Sequence, residues 1–474
     1  MNDLAIGLDS ANGGHLYEQI YDYMKREIRK GKLLCGERLP STRSLAEYLQ
    51  VSRSTVDLAY AKLQDEGYIA PVPCKGFFVC DVETLYELPL EECADALDSG
   101  EPVAWRYDFS LNGIDENGFP FATWNRLART AILDTEQHMF QQGQAQGDAG
   151  LREALREYLH YARGVECSAS QIVIGAGNDY LLMLLSVILG KDRRIAMENP
   201  TYLNAYHCFK TLGYSVAAVG MDDAGICVED LSGSGADIAY VMPSHQFPTG
   251  TVMPMERRTQ LIRWAREKEG RYIIEDDYDS EFRYTGHPLP ALQGYDGGQH
   301  VIYLGTFSKS IAPSIRISYM VLPKSLLPLY EERASCFSTT VSRVDQRVME
   351  QFIRQGYFER HLGRMRNRYR QKRDQVMAAF LQGPLAGRVK ITGQDAGLHF
   401  LAELQTRLPD DVLQRRAAEK GLRLAMLSDY YHEREGARRH TLVVNYSGLD
   451  LQRLPQALEY LADIIKEGPS CTTN

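Results

Sequence analysis

Residues 301–320 read VIYLGTFSKSIAPSIRISYM: an apolar run that breaks at Gly305, then Thr306, Ser308 and Lys309, with Arg316 seven residues beyond the lysine. A short uninterrupted apolar run bounded by a turn signal fits a strand buried on both faces, as in a parallel sheet covered by helices. Similar runs recur on both sides of it, in SQIVIGAG (170–177), RRIAME (193–198), ADIAYVMP (236–243) and RYIIEDDYDSEF (271–282), separated by long amphipathic stretches. That alternation predicts an α/β fold with a mostly parallel sheet. Ligands in such sheets bind beyond the carboxyl ends of the strands, so the residues that follow each run are the candidate site.

Those residues form a chemically coherent set. A lysine among hydroxyls, with an arginine one or two turns on, can hold a phosphate monoester while its amine forms an imine with an aldehyde. Pyridoxal 5'-phosphate meets both requirements. After RYIIE come Asp276, Asp277 and Tyr278. On an extended strand Asp276 and Tyr278 share a face, so one can meet the pyridine nitrogen and the other the phenolic oxygen. Upstream, Gly175, Ala176 and Gly177 stand between a strand and a helix that opens at Asn178, where backbone amides can close on phosphate. Tyr202, in ENPTY, can stack on the pyridine ring. Taken singly, each feature also has a plain structural reading: a solvated loop lysine, an ordinary glycine turn, a half-buried loop tyrosine.

The first 80 residues follow a different pattern. In HLYEQIYDYMKREIRKGKL (15–33), Leu16, Ile20, Tyr23, Met24 and Ile28 recur at helical spacing, and the helix is expected to end near Gly31. LPSTRSLAEYLQVS (39–52) predicts a second helix capped by Ser41, and SRSTVDLAYAKLQDEG (52–67) a third, capped by Ser52 and stopped by Gly67. YIAPVPCKGFFVC (68–80) reads as a hairpin turning through Pro-Cys-Lys-Gly. Three helices and a hairpin make a winged helix-turn-helix, whose third helix presents its first turn to the major groove of DNA. That turn holds Ser52, Arg53, Ser54 and Thr55. Ser41, Thr42 and Arg43 open the second helix, and Lys75 lies at the wing tip. Arg53 can donate a fork to guanine, and the hydroxyls and helix amides can hold phosphate. Each serine also suits a cap alone, and each arginine a solvated surface position.

Charge sharpens the division. The net charge of -9 over 474 residues is unusual for a nucleic-acid binder, but residues 15–80 carry ten Lys/Arg against eight Asp/Glu, while 81–101 carry eight acids and no base. The excess acid therefore sits in one short stretch, DVETLYELPLEECADALDSGE, read as a solvated tether. The organisation expected is a DNA-binding unit over 13–80, an acidic linker over 81–105 and a large ligand-binding unit over 106–470. Nine cysteines scattered as singles fit reduced thiols and point to neither a disulfide framework nor a metal site. No apolar stretch has the length of a membrane span, and the N-terminal MNDLAIGLDS lacks the pattern of a secretory leader, so a cytoplasmic location is expected.

Two resemblances follow from these residues. GKLLCGERLPSTR (31–43) and VSRSTV (51–56) resemble the GntR-type winged helix, and the resemblance implies DNA contacts at Arg43 and Arg53. QAQGDAGLREALREYLHYARGV (144–165), ENPTY, PSHQFPTG (243–250), IIEDDYDSEFRY (273–284) and LGTFSKSIAPSIRISYM (304–320) resemble the effector domain of MocR-type regulators, which are GntR-class transcription factors with an aminotransferase-like domain. The resemblance implies a fold-type I aminotransferase-like domain dependent on pyridoxal 5'-phosphate, with a smaller C-terminal α+β subdomain. It also implies a homodimer, a double-stranded DNA operator, and an amine or amino-acid effector. By resemblance, Lys309 is the catalytic Schiff-base lysine, Asp276 meets the ring nitrogen, Tyr278 the phenolic oxygen, and Tyr202 stacks. Ala176, Gly177, Asn178, Thr306, Ser308 and Arg316 surround the phosphate.

The sequence departs from true aminotransferases in two places. Phe247 stands where Asn-Pro-x-Gly would put an amide donor, and TLVVNYSG (441–448) holds no arginine to clamp a substrate carboxylate, although Arg423, Arg438 and Arg439 lie nearby. Three readings follow: a regulator that senses the cofactor or an amine through imine chemistry, a working aminotransferase with an appended DNA module, and a vestigial pocket kept as a dimer scaffold.

Overall fold

The computed structural model describes residues 15–73, 75–81, 105–110, 114–133, 141–286 and 289–466. Contacts divide the chain into two units, Met1–Val103 and Ala104–Asn474. Most of the expected acidic linker lies outside the described residues.

In the small unit, α1 (Leu16–Arg29), α2 (Thr42–Leu49) and α3 (Arg53–Asp65) precede the antiparallel hairpin of β1 (Ile69–Val72) and β2 (Gly76–Val79). Serine hydroxyls start both later helices: Ser41 accepts from the Ser44 N–H at 3.1 Å and Ser52 from the Thr55 N–H at 3.2 Å. Gln50 takes a left-handed conformation (φ 55°) between α2 and α3, and Gly67 (φ 78°) follows α3. Ile20, Met24, Leu45, Val56, Tyr60, Leu63 and Val79 form the core. Tyr21 is buried where helical spacing favoured Tyr23, because its hydroxyl reaches Glu66 and Lys25 at the edge of that core.

The large unit is built on a seven-stranded sheet. Its strands are β3 (Ile172–Gly175), β4 (Arg194–Glu198), β5 (Ser215–Val219), β6 (Ile238–Val241), β7 (Tyr272–Asp277), β8 (Val301–Thr306) and β9 (Ser318–Val321), in the spatial order β3-β9-β8-β7-β6-β4-β5. β9 runs antiparallel to β3 and β8 on either side of it, and the other pairings are parallel. Both faces are covered, which explains the unbroken apolar runs. On β8, Ile302 and Leu304 pack with Val173 and Met320, while Tyr303 packs on the opposite face with Ile174 and Tyr319. A second, antiparallel sheet of β10 (Val389–Thr392), β11 (His399–Leu404) and β12 (Thr441–Asn445), with helices Asp410–Glu419 and Leu454–Lys466, forms the smaller C-terminal α+β part.

Register positions the site. Thr306 pairs with Ser318, and Ser318 with Gly175, so the glycine turn, the β8 end and the start of β9 lie side by side. Asp276 and Asp277 pair with Leu304 and Gly305 and end level with them.

Candidate functional site

Beyond these strand ends lies a cavity of about 310 Å³ lined, among others, by Asn178, Tyr202, Asp276, Tyr278, Lys309 and Arg316. Lys309 rides on the turn after β8, which is held by the Ile311 N–H to Phe307 carbonyl bond (2.8 Å) and by His361 Nε2 against the Ser310 carbonyl (2.8 Å). Burial pushes the Lys309 ammonium below its usual range, with nearby Asp279 opposing that effect. The neutral amine, the form that attacks a carbonyl, is thereby favoured.

The paired acids of β7 divide their work. Asp277 turns to a buried ion pair with Arg163 (2.8 Å) and accepts from the Tyr303 hydroxyl (2.6 Å), so it serves the core. Asp276 accepts from Asn178 Nδ2 at 3.0 Å and from the Tyr240 hydroxyl, and burial raises it to about 6. A cationic ring nitrogen at this carboxyl would favour the ionised form that burial opposes. Asn178, expected beside phosphate, thus spends its amide on Asp276.

Thr306, Ser308 and Arg316 gather at the other end. The Thr306 hydroxyl donates to Ser308 Oγ (3.0 Å) and accepts from Ser318 (2.9 Å). Arg316, in a left-handed conformation (φ 53°), donates to the Ala176 carbonyl (3.1 Å) and pairs with Asp179 (3.3 Å) while half its side chain stays exposed. Gly177 is favoured there, because its backbone angle (φ 94°) is one that residues with a side chain rarely adopt. Ala176 and Gly177 flank this end without lining the cavity. Their N–H groups go to the Thr340 hydroxyl and the Gly175 carbonyl, both at 2.9 Å.

Tyr202 sets its ring edge-on to Phe247 at 5.9 Å, and its hydroxyl accepts from Asn204 at 3.2 Å. Phe247 also meets Tyr278, His399 and Tyr430 edge-on, an aromatic corner where an amide donor would otherwise stand. Arg423 and Arg438 pair with Asp108 (3.6 Å) and Glu403 (2.8 Å) and do not line this cavity. The sequence reading missed His245, Asp279 and His399, buried side chains whose ring nitrogens and carboxylate oxygen lie within 4.8 Å of one another. They come from three distant segments, and only the fold brings them together.

In the small unit, Arg43 and Arg53 are 80% and 69% exposed, each loosely paired with an acid one turn on, Glu47 (3.1 Å) and Asp57 (3.5 Å). Ser41, Ser52, Ser54 and Lys75 are exposed and Thr55 is half-buried. Thr42 differs: it is only 9% exposed, so it contributes chiefly to packing.

Residues 16–79 match the gntR family of bacterial regulatory proteins, and residues 113–430 match aminotransferase class I and II. Over 94% of its length the chain is 36% identical to YdeL of Bacillus subtilis, an uncharacterized HTH-type transcriptional regulator, covering 96% of that protein. It is 32% identical to the probable rhizopine catabolism regulatory protein MocR of Rhizobium meliloti, with 94% and 93% of the two chains covered. The pyridoxine biosynthesis regulator PdxR of Corynebacterium glutamicum is 30% identical, with 90% and 92% covered. Among solved structures, kynurenine aminotransferase of Pyrococcus horikoshii superposes with a TM-score of 0.68 at 26% identity, over 82% of this chain and 98% of the other. The chain belongs to the MocR-type GntR family of HTH-type transcriptional regulators, in which a gntR-family domain precedes a class I and II aminotransferase domain.

Proposed function

We propose that the large unit binds pyridoxal 5'-phosphate through Lys309 and uses it to sense an amine or amino acid, and that the winged helix of a homodimer reads a double-stranded DNA operator accordingly. One observation carries this reading: a lysine whose neutral form burial favours, a buried acid ready for a ring cation, a stackable tyrosine and an arginine with two hydroxyls share one cavity of about 310 Å³. When bound, the cofactor supplies an aldehyde that condenses with primary amines and a ring that withdraws electrons.

The residues present fit that group. Asp276, anchored by Tyr240 and Asn178, would hold the ring nitrogen as a cation. Arg316, Thr306 and Ser308 would take the phosphate oxygens, with the N-terminus of α4 (Asn178–Leu189) beside them. Tyr202 would lie on the ring and shed water from it. Phe247, together with a cavity that among the described residues is lined by no arginine besides Arg316, favours sensing over sustained turnover.

The test is reconstitution of the full chain with the cofactor. Wild type should gain a visible absorbance band, and borohydride should fix the cofactor on Lys309. A wild type that takes up none, or a Lys309→Ala variant still labelled at the same site, overturns the reading. Sustained keto-acid formation over an amino-acid panel would favour a working aminotransferase instead.

A further inference from the structure

The loop after β7 carries a further acid, Asp279, which the cofactor reading leaves without a task. It is 1% exposed, and its two carboxylate oxygens stand 3.1 and 3.0 Å from Nδ1 of His245, itself 2% exposed. The same ring nitrogen lies 3.0 Å from the Tyr278 hydroxyl. An ionised carboxylate only accepts, so the close approach of Asp279 puts the hydrogen on Nδ1. A nitrogen bearing that hydrogen has no lone pair left to accept the phenol proton. Toward that nitrogen the Tyr278 oxygen can therefore only accept, sharing the nitrogen's one hydrogen with Asp279, and the phenol hydrogen is left for an acceptor in the cavity that Tyr278 lines.

The surroundings are built around this pair. Gly397 (φ 71°) allows it, because an added Cβ would collide with both the His245 ring and the Asp279 carboxylate. His399, on β11, packs its ring 4.7 Å from that of His245 and sets Nε2 3.1 Å from the Pro248 carbonyl. Phe247, only 8% exposed, brings no donor to this corner.

We propose that His245, held by Asp279, is a positioning residue that turns the Tyr278 hydroxyl toward the phenolic oxygen of the cofactor, in the stead of an amide donor at position 247. The inference rests on the cofactor reading above. The titratable groups facing the His245 ring are Asp279 and Tyr278 from the loop after β7 and His399 from β11. Burial keeps His399 neutral and Tyr278 protonated, and the acids near that phenol, Asp279, Asp276, Asp277 and Glu198, hold its proton further.

A donor at the phenolic oxygen stabilises its anion. The anion depends on that donor most when the nitrogen bonded to Lys309 has lost its proton, since a protonated nitrogen supplies a hydrogen bond of its own. Weakening the donor should therefore raise the pH at which that proton leaves.

The measurement is a pH titration of the visible absorbance of holo-protein for wild type, His245→Gln, Asp279→Asn, Tyr278→Phe and the His245→Gln/Tyr278→Phe double variant. His245→Gln should move the midpoint up by about one pH unit, and Asp279→Asn should move it less, because that change also removes an acid that favours the proton near Lys309. The double variant should move no further than Tyr278→Phe alone, because both changes remove one donor. A midpoint unchanged in His245→Gln, in protein that melts like wild type and binds cofactor, overturns the inference, as does an additive double variant. If His245→Gln does not fold, His245→Asn carries the test. Failure of wild type to take up cofactor removes the cofactor reading itself and is distinguishable from a null shift.

Discussion

At Asp276, function and stability pull in opposite directions. The residue is 4% exposed, and burial raises its carboxyl from 3.8 to about 6, so the folded protein keeps it protonated up to about pH 6. A group whose folded value lies above its unfolded value lends stability below the unfolded one and loses it as pH rises through the folded one. The window here runs from about pH 4 to about pH 6, and the difference is worth on the order of 3 kcal/mol. Asp276→Asn removes the titration but keeps the shape. Cofactor-free Asp276→Asn should therefore gain melting temperature over wild type at pH 8 relative to pH 4, while binding the cofactor at least tenfold more weakly. Parallel melting curves for the two proteins across that range would remove buried ionisation as the cause. Asp276 was legible in the sequence because the strand period put it and Tyr278 on one face. The partners that tune it were not: Tyr240 and Asn178 reach it from β6 and from the start of α4, and no local pattern signals such long-range hydrogen bonds.

The helices of the small unit separate two roles that the sequence left superposed in single residues. Ser52 was readable as a cap and as a phosphate contact. Its hydroxyl accepts the Thr55 N–H at 3.2 Å and lies 2.8 and 2.7 Å from the hydroxyls of Ser54 and Thr55, so it is at least the cap of α3. Arg53, next along, is 69% exposed and stands 3.5 Å from Asp57, a loose surface pairing that makes it nearly idle in folding. Ser52→Ala should cost the small unit about 1 kcal/mol. Arg53→Ala should leave its melting unchanged yet weaken operator binding by about 1–3 kcal/mol, with a shallower dependence on salt. Gel-shift titrations at two salt concentrations beside thermal melts test both; an Arg53→Ala variant that retains full affinity sinks the major-groove assignment. Cap residues, glycine stops and apolar runs made the helices and strands legible, since each is decided within a few neighbouring residues. The burial of Thr42 was not, because it depends on how α2 packs into the core of the small unit.

At the scale of the whole molecule, a regulator of this design must obey reciprocity. If an amine that binds in the Lys309 cavity changes operator affinity by some factor, operator DNA must change the affinity for that amine by the same factor, because both are readings of one coupling free energy. Such couplings typically run to about 1–3 kcal/mol, or roughly 5- to 150-fold. They require that the amine bind the DNA-competent and DNA-incompetent arrangements with different strength; an amine that binds both equally shifts nothing. The residues assigned to cofactor and DNA lie in separate units, so coupling between them cannot come from shared contacts within either. The decisive measurement is a spectral titration of holo-protein with a panel of amines, with and without saturating operator duplex, beside DNA titrations with and without the amine. The two factors should agree for every amine that alters the spectrum and the DNA affinity. An amine that reacts at the cofactor while operator duplex leaves its midpoint unmoved, for all members of the panel, would show two independent modules on one chain and not a sensor.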